Sequence, residues 1–144
     1  LSFTHLYSEQ MTWVVRPGHP LVSRPTSDVA NIADYPVLLP SADSITRTSV
    51  DAWLIAQGIG NLPDRIETVS SSFGRAYVRR SDAVWVISRG VVEIDINEGN
   101  LVELPSDMSD TSGPVGLTTR ADSEISDVAQ LFMRSVRQVA TQKS

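Results

Sequence analysis

The chain has 144 residues, 41% hydrophobic and 20% charged, with no cysteine and a net charge of -5. This is ordinary globular composition, long enough for one sizeable core in one domain or two linked lobes. It excludes disulfides, thiolate metal sites and cysteine nucleophiles, and it lacks the basic footprint of a surface that grips nucleic-acid phosphates.

No apolar stretch approaches the ~20 residues of a membrane span, and the N-terminus lacks the basic-then-apolar pattern of a secretory signal. A soluble, cytoplasmic product with no membrane partner is the expectation. Because the chain opens at Leu1 without an initiator methionine and soon enters the strand-like run Met11 to Val15, it reads as part of something longer.

In chain order, Trp13 to Val15 reads as a buried strand, ended by the turn residues Arg16-Pro17-Gly18-His19-Pro20. Leu21 to Asp34 is polar, with one or two short helical turns over Asp28 to Ala33. Pro36 to Leu39 forms the next strand. The period then changes: Val50, Trp53, Leu54 and Gln57 share a helical face, with Ser44 or Asp43 as N-cap and Gly58 as the stop.

A Gly/Asn/Pro/Asp loop leads into a strand over Ile66 to Val69. Ser71 or Ser72 is expected to cap a helix over Phe73, Tyr77 and Val78, with Arg79 and Arg80 suiting the negative end of its dipole. Ala83 to Ile87 shows no alternation, as a strand covered on both faces should. A short amphipathic stretch from Val91 to Ile96, a strand from Leu101 to Leu104 and a polar loop from Pro105 to Pro114 follow. Val115 to Thr119 is the last strand. Ile125, Val128, Ala129, Phe132, Val136 and Val139 then mark an amphipathic helix whose apolar stripe needs a partner.

Three of these strands end in a small, polar bend that runs into a helix: Pro40 to Ser44, Ser70 to Ser72 and Ser88 to Gly90. In an α/β fold with a mostly parallel sheet flanked by helices, such bends gather along one edge. Helix N-termini there present unpaired N–H groups to a small anion. The candidate ligand-binding residues are therefore Ser44, Ile45, Thr46, Arg47, Thr48, Ser70, Ser71 and Ser88.

Arg47 stands out, since a cation in the first turn of a helix opposes the dipole, while a guanidinium there could bind a carboxylate bidentately. The alternative is a solvated surface arginine. Ser70, Ser71 and Ser72 most economically provide a cap and a tight bend, and the same hydroxyls could still touch a ligand. Ser88 and Arg89 face the same crevice, though the pairing is a common one.

No catalytic, cofactor or metal residues are assigned. A nucleophile elbow would need Gly-x-Ser-x-Gly and a histidine base, and neither His5 nor His19 has a neighbour that suggests a triad or a metal pair. Trp13, Trp53 and Trp85 read as core. Glu103, Asp107 and Asp110 read as solvated, without the spacing of a calcium loop.

The order of Leu6 through Trp13-Val14-Val15-Arg16-Pro17-Gly18-His19-Pro20-Leu21, Tyr35 to Pro40, Ile66 to Ser70 and Ala83 to Ser88 resembles the effector-binding domains of LysR-type transcriptional regulators. The His19-Pro20-Leu21 turn is the most recognisable mark. Ser72 to Trp85 looks closest to members that govern aromatic-compound catabolism. Arg80-Ser81-Asp82 departs from the Gly-x-Gly that often precedes the buried strand.

The resemblance implies a two-lobed, type 2 periplasmic-binding-protein-like fold with a small carboxylate inducer held between lobes. On that likeness residues 1–16 are a crossing strand and remnant of the first lobe, 17–112 the second lobe, and 113–144 the return strand and C-terminal helix of the first. It further implies promoter DNA bound only through an N-terminal helix-turn-helix outside this chain, and a homo-oligomer, dimer or tetramer, in the full-length protein. A solute-binding protein of a transport system is the alternative on the same fold.

Overall fold

The computed structural model describes residues 1–23, 29–122 and 124–142. The chain divides into two compact units, Gln10–Thr111 and the pair Leu1–Glu9 with Ser112–Ser144. No helix among the described residues is long and apolar enough to cross a membrane.

The larger unit is built on five strands: β2 (Met11–Val15), β3 (Val37–Leu39), β4 (Arg65–Glu67), β5 (Val84–Ser88) and β6 (Val102–Glu103). β1 belongs to the smaller unit. The strand order is β4-β3-β5-β2-β6. β3 pairs in parallel with β4 (Leu38 opposite Ile66) and with β5 (Leu38 opposite Trp85), while β2 runs antiparallel to β5 and β6. The three strands of the strand–bend–helix repeat are thus mutually parallel, and their C-terminal bends share one rim.

Period-two geometry explains how three short strands serve two cores. Trp13, Val15, Val37, Leu39, Val84 and Val86 point to the face covered by Val50, Trp53 and Leu54 of helix α1 (Ile45–Ala56). Val14, Leu38 and Trp85 point to the other, where Val78 of α2 (Ser71–Arg79) and Val92 of α3 (Arg89–Asn97) meet them. Both faces are covered, so β5 carries no polar alternation. Each fully buried side chain of this kind contributes about 1.5–3 kcal/mol.

Gly74 of α2 lies where a Cβ would come within 2.5 Å of the Trp85 ring, so glycine alone lets the helix settle on that indole. Trp13 and Trp53 pack with ring centroids 5.7 Å apart. The Trp53 indole donates to the Asp107 carbonyl at 2.8 Å, while Trp13 Nε1 is buried with no partner among the described residues.

His19 is buried and fully used. Leu21 N–H donates to its Nδ1 at 3.0 Å, and the Asp82 carbonyl lies 2.8 Å from Nε2. A carbonyl can only accept and an amide N–H only donate, so the ring is the neutral tautomer with the proton on Nε2. With Arg16 bound to Asp82 at 2.7 Å, the His19-Pro20-Leu21 turn is stapled to the loop that starts β5.

Several expectations are revised. Ser70, not Ser71 or Ser72, is the N-cap of α2, because β4 stops at Glu67 and the helix starts earlier than its apolar residues suggest. The turns foreseen over Asp28 to Ala33 form a 3-10 segment at Val29–Asp34, with Asp28 itself outside the described residues. Glu103 is not solvated: it accepts from Thr12 Oγ1 at 2.5 Å and from Arg89 Nε at 3.0 Å. Residues 10–16 lie in the larger unit, where the hydrogen bonds of β2 to β5 and β6 hold them.

In the smaller unit β1 (Ser2–Glu9) pairs antiparallel with β7 (Gly113–Thr119), with a register shift between His5 and Tyr7. Helix α4 (Asp127–Thr141) follows, capped by Ser126 Oγ accepting from Ala129 N–H at 3.1 Å. The residue pattern gave no strand over 2–9; only the family resemblance implied a crossing strand within 1–16.

Candidate functional site

Each bend of the rim is built by a serine that begins a helix. Ser44 is the N-cap of α1: its Oγ accepts from Arg47 N–H at 3.1 Å and donates to the Ser41 carbonyl at 2.7 Å. Ser70 Oγ accepts from Phe73 N–H at 3.1 Å, and Ser70 N–H donates to Thr68 Oγ1 at 3.0 Å. Ser88 is the N-cap of α3 but makes no side-chain capping bond; its hydroxyl donates instead to Met11 Sδ at 3.7 Å.

Between these bends lies a pocket of about 230 Å³. One wall is Pro40, Ser41, Ser44 and Thr46, the facing wall Thr68, Val69, Ser70 and Ser71, and Met11 with Trp85 to Ser88 completes the lining. None of the lining residues is charged. Helix N-termini and hydroxyls over an apolar floor suit a small anion that carries an apolar body.

The donors are unevenly spent. Ser44 has committed its hydroxyl proton to Ser41, whereas the hydroxyl protons of Thr68, Ser70 and Ser71 have no acceptor among the described residues. The α2 wall therefore holds the spare hydrogen-bond donors. Asp43, just outside the pocket, accepts from the Ser41 hydroxyl and its own backbone N–H, and both hold its carboxyl below the usual range.

Of the candidate residues, Ser44, Thr46, Ser70, Ser71 and Ser88 line this pocket, while Ile45, Arg47 and Thr48 do not. Ser44 is the extended N-cap residue and Thr46 Oγ1 lies 3.2 Å from its hydroxyl, whereas Arg47 is drawn to Asp51 and Glu67. Met11, Pro40, Ser41, Thr68, Val69, Trp85, Val86 and Ile87 join them, unforeseen as lining. For Ser41 and Thr68 the signal was a small hydroxylated residue next to a bend; for Met11 there was none.

Arg47 lies outside the pocket lining and is engaged within the protein. Its guanidinium pairs with Asp51 Oδ1 and Glu67 Oε1, each at 2.9 Å, and donates to the Pro40 carbonyl at 3.0 Å; the side chain is only 11% exposed. Burial alone would lower its pKa, but the hydrogen bonds it donates to the Glu67 and Asp51 carboxylates outweigh that and hold it above the usual value. A group already engaged in this way is a poor partner for a ligand carboxylate.

Arg75 and Arg89 are likewise taken, by Asp95 and by Glu103, both at 3.0 Å. Among the described residues no group of three or more His, Asp or Glu side chains could hold a metal ion.

The fold is that of regulatory domains: the CcmR regulatory domain of Synechocystis, solved in complex with 2-PG, superposes with a TM-score of 0.72 at 15% identity, over 96% of this chain and 66% of that one. A model of the LysR substrate binding domain matches residues 1–141, and the chain belongs to that family. It is 51% identical over 139 residues to the HTH-type transcriptional regulator PcaQ of Agrobacterium fabrum, covering 96% of this chain and 45% of that protein. It is 31% identical over 137 residues to the regulator YdcI of Escherichia coli, covering 95% and 44%. The chain thus spans less than half the length of these relatives, which are transcriptional regulators and not enzymes. The sequence resemblance and the α/β, type 2 binding-protein-like architecture stand.

Proposed function

We propose that this chain senses an inducer for a regulator of aromatic-compound catabolism, and that the serine-lined pocket holds the inducer's carboxylate. Family membership favours the sensor over the transport-associated reading. The likeness to PcaQ supports the aromatic pathway, with protocatechuate or a dicarboxylate or tricarboxylate of its breakdown as the natural ligand. In the full-length protein the response passes to promoter DNA through an N-terminal helix-turn-helix, within a homo-oligomer in the cytoplasm.

The observation that carries the reading is the convergence of three bends on one uncharged, hydroxyl-lined pocket. The carboxylate takes hydrogen bonds from Thr68, Ser70 and Ser71 and lies near the positive end of α2, while Met11, Trp85 and Ile87 meet the apolar body. To act as an inducer, the ligand must bind one conformer of the protein more tightly than the other, since equal affinity shifts nothing.

Calorimetric titration of the full-length protein with protocatechuate tests this. Ser71→Ala and Thr68→Val each remove one donor to a charged acceptor and should each weaken binding about tenfold. Unchanged affinity in both variants would remove the α2 wall from the site.

A further inference from the structure

We infer that Arg47 is a positioning residue that sets the width of the inducer pocket from behind, an inference that rests on the proposed inducer site. Its guanidinium joins two segments of the chain at the points where they become the pocket's facing walls. The Pro40 carbonyl, 3.0 Å from Nη1, is followed by Ser41 on one wall. Glu67, 2.9 Å from the same nitrogen, is followed by Thr68 on the other. One planar fork therefore spans the end of β3, the start of α1 and the end of β4.

The location argues for a purpose beyond general stability. Arg47 occupies the third residue of α1, where a carboxylate would complete a capping box and a cation opposes the helix dipole. The unfavourable charge is matched by Asp51 within the same helix and by Glu67 across the gap, and the two bonds are of equal length. Their geometry differs. The Asp51 bond spans one turn of α1 and constrains neither wall against the other, whereas the Glu67 bond joins α1 to the end of β4, each one residue from a wall residue, Thr46 and Thr68.

Lysine is not an equivalent replacement, because its donors sit on one nitrogen, whereas here Nε reaches Asp51 and Nη1 reaches Glu67 and the Pro40 carbonyl. The backbone bond from Thr68 N–H to the Leu39 carbonyl, 3.0 Å long, is the neighbouring tie between the same two segments. It holds Thr68 itself to the end of β3, and the guanidinium adds a second tie beside it, from Glu67 to the Pro40 carbonyl.

The near-equal exposure of the two acids, 51% for the Asp51 side chain and 44% for Glu67, makes Asp51 an internal control. In the full-length protein, amide hydrogen exchange should rise about tenfold across 41–46 and 68–71 in Glu67→Ala, partly recover in Glu67→Gln, and change less than about twofold in Asp51→Ala. Protocatechuate affinity should follow the same order, falling about tenfold in Glu67→Ala. Equal effects of the two alanine variants, or loosening confined to 68–71, would overturn the inference. If exchange responds as described while the unaltered protein takes up no protocatechuate, the clasp stands and the carboxylate reading falls.

Discussion

In the larger unit helices close on both faces of the sheet, and Trp13, Val14, Val15, Leu38 and Val86 have no exposed surface. In the smaller unit α4 turns Val128, Leu131, Phe132 and Val139 outward, each between 59% and 79% exposed. Ala140 is the one buried hydrophobic residue of the smaller unit among those described. Nearly all the apolar burial that stabilises this chain thus lies beneath the serine rim. The pocket is held by a core complete in itself, while of the apolar stripe on α4 Ala129 and Val136 are half-buried and Val128, Phe132 and Val139 stay exposed.

The contrast breaks most readily at Trp85, which is 2% exposed and forms part of the pocket floor. Trp85→Ala should cost about 3–5 kcal/mol of unfolding free energy in the 144-residue chain, measured by urea titration. Gly74→Ala tests the same contact from the other side. It should cost about 1–3 kcal/mol through overpacking against the indole, and a neutral result would show that α2 is free to withdraw from the sheet. The smallest effect is expected on α4, where Phe132→Ala should change stability by less than about 0.5 kcal/mol, as at an ordinary surface position. A loss at Phe132 as large as that at Trp85 would erase the distinction between the two units.

Local chemistry made much of the larger unit legible. Ser44 and Gly58 bracket α1 as their types demand, and Gly58 adopts the left-handed conformation, φ 77°, that ends a helix. The short apolar run at Ala83 to Ile87, rich in β-branched and aromatic residues and ended by Ser88-Arg89-Gly90, pointed to a strand covered on both faces. β1 escaped because its residues are mostly exposed and show no apolar period; what holds it is pairing with β7, a distant segment.

The same limit governs the site. The bends holding Ser44, Ser70 and Ser88 were recognisable as strand-to-helix corners, though the cap of α2 was placed one or two residues late, and the structure gathers all three serines at one pocket. Arg47 was conspicuous, yet its destination depends on Glu67, whose position follows from the parallel pairing of β3 and β4. A single sequence shows that such a cation needs a partner. It does not show whether the partner is a ligand or the protein's own acid.

The most direct measurement is a crystal structure of the full-length regulator grown with protocatechuate. The account predicts its carboxylate against Thr68, Ser70 and Ser71, with Arg47 still bound to Glu67 and Pro40. A carboxylate paired instead with the Arg47 guanidinium, or bound on the outer arginines of α2 at Arg75, Arg79 and Arg80, would contradict it.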